Sequence, residues 1–80
     1  MNNNKLIQNV SKIHTTDLGI CRIKKSLGIN EEVISYCKNI ILNSNSLIYQ
    51  KGKNWYVELD FVILTINVSS YTIITAHKKG

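Results

Sequence analysis

Three residues near the C-terminus have side chains suited to proton transfer and phosphate contact: Tyr71, Thr75 and His77. Side chains of an extended chain alternate between two faces. Tyr71, Ile73, Thr75 and His77 are therefore expected on one face, and Thr72, Ile74 and Ala76 on the other. Metal-independent RNA cleavage needs a base for the 2′-OH, an acid for the leaving oxygen and cations around the phosphorane. Histidine is the side chain that changes charge near neutral pH, so His77 is the expected base or acid. Tyr71 is its expected proton-transfer partner or a stacking platform, with Thr75 beside it. Lys53 and Lys78 are placed to clamp phosphate, and Lys51, Lys79, Arg22 and Tyr56 complete a nucleic-acid-binding set. Thr65 and Asn67 of the preceding strand join that face if the register allows. The same residues also suit a solvated edge strand, because Tyr and Thr favour strands in any case.

No metal site or cofactor is expected. Cys21 and Cys37 stand sixteen apart without a CxxC, and His14 and His77 lie towards opposite ends of the chain. Both cysteines are expected as reduced core thiols on neighbouring helices.

The elements that position these residues fall into two halves, 1–46 helical and 47–80 extended. Leu6, Val10 and Ile13 form an apolar stripe over a first helix at 4–13. Thr16 or Asp17 is a suitable N-cap for a second helix at 18–27, ended by Gly28. Asn30 is the expected cap of a third helix, with Glu31 and Glu32 in its first turn. Its stripe is Val33, Ile34, Cys37, Ile40 and Ile41, and Asn43-Ser44-Asn45-Ser46 ends it. From Leu47 the apolar period changes to two. Strands are expected at 47–50, 55–60, 61–68 and 71–77, with a turn at 51–54. The Asp60-Phe61 junction carries no obvious turn residue, which leaves a bulge or one longer strand open. The expected architecture is α+β: three N-terminal helices packed on one face of a three- or four-stranded antiparallel meander, in a single domain over residues 1–80.

Eighty residues carry ten Lys and Arg against five Asp and Glu, a net charge of +5. The positive excess is spread along both halves and favours an anionic partner. No apolar run is long enough to span a membrane and no signal segment opens the chain, so the expected location is cytoplasmic.

Three segments carry a resemblance: His14-Thr15-Thr16-Asp17-Leu18-Gly19 with Arg22-Ile23-Lys24-Lys25, then Lys51-Gly52-Lys53-Asn54-Trp55-Tyr56-Val57, then Ser70-Tyr71-Thr72-Ile73-Ile74-Thr75-Ala76-His77-Lys78. They resemble a short bacterial family known only as a domain of unknown function (number 3781). The resemblance implies a stand-alone domain of bacterial or mobile-element origin and supplies no activity. The chain departs from the family pattern near Asp60-Phe61 and at Ser69, where a histidine is common. The element order is more loosely similar to RelE-like and barnase-like ribonuclease toxins.

The expected function is therefore RNA interaction through the sheet face of the last strand, extending to toxin-like ribonuclease activity. Two alternatives stand beside it. One is a non-enzymatic inhibitor or adaptor of phage or mobile-element origin that docks on another protein. The other is a helix-turn-helix DNA-binding domain over residues 22–35, with Ser35 and Lys38 on its reading helix. Glu31 and Glu32 would oppose phosphate at the end of that helix entering the groove.

Overall fold

The computed structural model describes residues 5–79. Asn4, and with it the expected start of the first helix, lies outside the described residues. Helix α1 spans Lys5–Gln8 and is followed by a 3-10 turn, Val10–Lys12. Helices α2 (Asp17–Leu27) and α3 (Val33–Leu42) precede strands β1 (Leu47–Lys51), β2 (Asn54–Leu59), β3 (Val62–Asn67) and β4 (Ile73–Lys78). The strands form one antiparallel sheet in the order β1-β2-β3-β4. The class is α+β, as expected.

The first helix is shorter than its apolar stripe suggests, and Asn9 is the reason. Its backbone N–H bonds back to the carbonyls of Lys5 and Leu6, and its side-chain amide also donates to Lys5 O. Asn competes for local backbone partners in this way and favours helix ends. Four residues are too few to hold a helix alone. Leu6, fully buried, anchors it with a burial contribution of roughly 1.5–3 kcal/mol.

Thr16 caps α2 by accepting from Gly19 N–H, and Gly28 closes it at φ 66°. The cap of α3 is Glu32 and not Asn30. The Glu32 carboxylate accepts from Ile34 and Ser35 N–H, and those bonds hold its pKa below the ordinary value. Cys37 is buried in α3, and burial pushes its thiol up to about 12. Cys21 departs from expectation: it is exposed, on the side of α2 away from buried Ile23 and Leu27.

Two of the strand connections are two-residue turns. Gly52 takes φ 64° in the first, and Asp60 takes φ 54° in the second. The Asp60-Phe61 junction is therefore a tight hairpin, made because Asp tolerates the left-handed region.

A cluster of buried side chains joins the helices to one sheet face. It includes Ile23, Leu27, Val33, Cys37, Ile40 and Ile41 from α2 and α3. Trp55, Val57, Leu64, Ile66, Ile73 and Ala76 come from the sheet. Among the described residues no helix is long and apolar enough to cross a membrane.

Candidate functional site

The expected alternation of the last strand fails in its middle. Ile66 pairs with Ile73 while Thr65 pairs with Thr75, so Ile74 is an extra residue at a bulge. A bulge reverses side-chain parity beyond it. Ile73 and Ala76, three apart, consequently both reach the core, and Ile74 is left half exposed. Expecting Ile73 beside Thr75 and His77 was wrong for this reason.

The register defines the face turned away from the core. One row across the sheet is Tyr49, Tyr56, Thr65, Thr75, and the next is Leu47, Glu58, Ile63, His77. Thr75 and His77 are thus together on the open face, and both are exposed. Thr65 joins them by register, at only 8% exposure. Tyr49 and Tyr56 stack with ring centroids 5.5 Å apart. Tyr49 Oη donates to Glu58 Oε2 at 2.7 Å, and Lys79 Nζ donates to Glu58 Oε1 at 3.1 Å. These two bonds hold the Glu58 carboxyl below its ordinary range, and the bond to Glu58 raises the Tyr49 phenol. Lys51 and Asn54 stand opposite one another at the next row, with Lys53 in the adjoining turn.

Tyr71 does not belong to this face. It precedes β4 with φ 61°, and its ring packs 5.3 Å from buried Trp55, with Lys12 Nζ 5.6 Å from its centroid. Asn67 is also turned to structure, because its side-chain oxygen accepts from Ser69 N–H and Ser70 N–H. Lys78 has the parity opposite to His77, and its Nζ lies 4.0 Å from where a Cβ on Gly28 would stand. A cation there faces the negative end of the α2 dipole.

Along β4, between that strand and α2, lies a groove of about 630 Å3 that Thr75 and His77 also border. Arg22 and Lys25 line it from the helix, and His77 borders it from the strand. Leu18 and Ile74, 61% and 50% exposed, are its most open apolar walls. Among the described residues that line it there is no carboxylate.

Residues 58 apart in sequence build the upper end of this groove. His14 and Thr72 form a short parallel bridge, in which His14 N–H donates to Tyr71 O and Ile73 N–H to His14 O. Thr15 Oγ1 donates to Ile73 O at 3.2 Å. The His14 Nδ1 lies 2.9 Å from Lys12 O, an acceptor only, so Nδ1 carries the proton. The other ring nitrogen, Nε2, lies 3.1 Å from Thr72 Oγ1 and completes the link between the two segments. Sequence reasoning noted only that His14 and His77 lie towards opposite ends of the chain. The structure sets it beside the last strand, at the end opposite His77. The only sequence signal for this was the pairing of the His14 and Ser70 segments within one resemblance. Lys25, Leu18 and Glu58 were also missed as site residues, although Glu58 shares its parity with Tyr56.

Arg22 is exposed on α2, as a helix-turn-helix requires, but α3 begins with the capped Glu32 carboxylate. The last of the three segments that carried the resemblance touches both of the others, and the middle one also bonds to the end of β3. Thr15 meets Ile73, Tyr71 meets Trp55, and Lys53 O accepts from Val68 N–H.

Fold and surface together describe a small α+β protein with a polar, aromatic open sheet face and a basic groove along its last strand. The chain belongs to the family described as "Protein of unknown function (DUF3781)", whose model matches residues 7–77. Comparison with curated proteins finds no match, and comparison with solved structures finds none.

Proposed function

We propose that the protein binds single-stranded RNA on the open face of its sheet. The observation that carries this reading is the stacked Tyr49–Tyr56 pair, in one row with Thr65 and Thr75. Aromatic side chains on a sheet are platforms for unpaired bases, and any base can stack on them. Thr75 and His77 supply hydrogen-bonding groups beside that platform, and Lys51 and Lys53 supply charge at its rim. The net charge of +5 has the sign an RNA partner requires.

Binding is favoured over cleavage by the position of Tyr71, whose ring packs on buried Trp55 and not on the open face that carries His77. Glu58 is the carboxylate in the His77 row, two strands away, or about 10 Å at the usual strand spacing. Both of its oxygens are already engaged by Tyr49 and Lys79.

Fluorescence anisotropy with a labelled single-stranded RNA tests the reading. Stacking is worth about 1–3 kcal/mol per base, so Tyr56→Ala is expected to weaken binding roughly fivefold to a hundredfold. Affinity should fall steeply with salt, and less steeply in Lys51→Ala/Lys53→Ala. Unchanged affinity in Tyr56→Ala would overturn the assignment, and a salt-insensitive complex would point to protein docking. The RNA should be recovered intact; chelator-resistant cleavage that disappears in His77→Ala would establish the nuclease reading instead.

A further inference from the structure

We infer that the groove between α2 and β4 is a separate binding site for a small phosphate monoester with a flat apolar body, of nucleotide size. The inference does not rest on the RNA reading, since Leu18, Arg22, Lys25 and Ile74 take no part in it, while Thr75 and His77 border both surfaces.

Charge comes first. Arg22 and Lys25 are three apart on α2, one helical turn, and therefore project on the same side. With no carboxylate among the described lining residues, their charges are uncompensated within the groove. An arginine and a lysine from one helical turn suit the oxygens of a terminal phosphate. Shape comes second. Leu18 stands on the helix wall and Ile74 on the strand wall, both half exposed or more, and aliphatic side chains on two walls suit a planar ring. About 630 Å3 falls in the range of small-molecule sites, roughly 300–1,000 Å3.

Local backbone irregularity converges on the same place. The bulge takes Ile74 out of the regular ladder, and it lines the groove. Tyr71, just before the groove's upper end, holds φ 61°, which is costly for a bulky side chain. Gly19 lets α2 approach Thr15 more closely than any side chain would permit. Bulges and strained residues concentrate at binding sites, where they aim side chains that a regular element would not.

An added peptide strand is a poorer occupant. The first outward backbone groups of β4 are already taken, with Ile73 N–H bonded to His14 O and Ile73 O accepting from Thr15 Oγ1. Helix α2 flanks the rest.

Backbone amide NMR titration of the full chain tests the inference with adenosine 5′-monophosphate, adenosine and inorganic phosphate as probes. The monophosphate is expected to saturate, with shifts at residues 18–25 and 72–77 and none at 54–58. Adenosine and phosphate alone should each bind at least about tenfold more weakly. Arg22→Ala/Lys25→Ala should weaken the monophosphate by a similar factor or more; both residues are exposed, so the fold is retained. Ile74→Ser should weaken the monophosphate and leave phosphate unchanged. Failure to saturate, shifts centred on 54–58, or an acidic peptide binding the groove amides more tightly than the monophosphate would each overturn the proposal. Loss of RNA binding in Tyr56→Ala with nucleotide binding retained would support both sites independently.

Discussion

Gly19 sits inside α2, where glycine ordinarily weakens a helix by about 1 kcal/mol relative to alanine. Here the rule inverts. A Cβ at this position would stand 2.2 Å from Thr15 Oγ1 and 3.3 Å from Thr15 Cβ. The Thr15 backbone cannot yield easily, because the neighbouring His14 is bridged to β4 on both sides. Rotating the hydroxyl away would also break its bond to Ile73 O. Gly19→Ala is expected to destabilise by about 1–2 kcal/mol, against the usual gain for such a change. Thr15→Ala/Gly19→Ala should recover part of that loss, since the clashing oxygen is gone. Urea midpoints of the parent and the two variants decide it, and a more stable Gly19→Ala would disprove the close approach. Polar residues at this scale divide between structure and surface. Asn67 is committed to its turn, while Thr75, His77, Lys78, Arg22 and Lys25 stay exposed.

At the level of elements, the sheet depends on turns and one bulge that set each strand's parity. The β2–β3 turn asks Asp60 for φ 54°, which an exposed Asp can supply and a β-branched residue cannot without strain. Asp60→Val is expected to cost about 1–2 kcal/mol, and Asp60→Gly to stay within about 0.5 kcal/mol of the parent. Thermal or urea unfolding of the pair measures this; equal stability of the Val and Gly variants would argue for a looser turn. The bulge explains why element existence was legible and facing was not. Alternation in Trp55, Val57 and Leu59 correctly marked β2, which is regular. In β4 the same period-two logic failed at Ile74, because an inserted residue leaves no mark in side-chain type. The amphipathic stripes of α2 and α3 were legible for the opposite reason: their caps, Thr16 and Glu32, leave the 3.6-residue period undisturbed.

Across the whole molecule, one polar cluster links two strands and the residue that follows β4. Glu58 on β2 is held by Tyr49 from β1 and by Lys79 just after β4. Its carboxyl pKa lies below the ordinary value because of those bonds, and Glu32 is lowered by its cap. A lowered folded-state pKa means the stabilisation is complete above the unfolded value, about 4.3, and is lost as pH falls through the folded one. Urea midpoints should therefore be level from neutral pH to about 5 and decline below about 4. Glu58→Gln should start lower at neutral pH and lose part of that decline, leaving the share due to Glu32. An acid profile identical to the parent's would show that the cluster contributes nothing. The same cluster lowers the free positive charge of the open face, since Lys79 is neutralised there while Arg22 and Lys25 are not neutralised within their groove.

The sequence by itself determined the α+β class, the order of helices and strands, and the caps and turns at Thr16, Gly28 and Gly52. These follow from local periodicity and local backbone preference, which act over a few residues. Tertiary structure alone decided that Tyr71 leaves the open face for Trp55, that His14 bridges to Thr72, and that Arg22 and Lys25 share a groove with Ile74. Each of those depends on register, on a bulge, or on contact between residues about fifty apart or more. Such pairings are set by which arrangement buries the core, and no short stretch of chain encodes them.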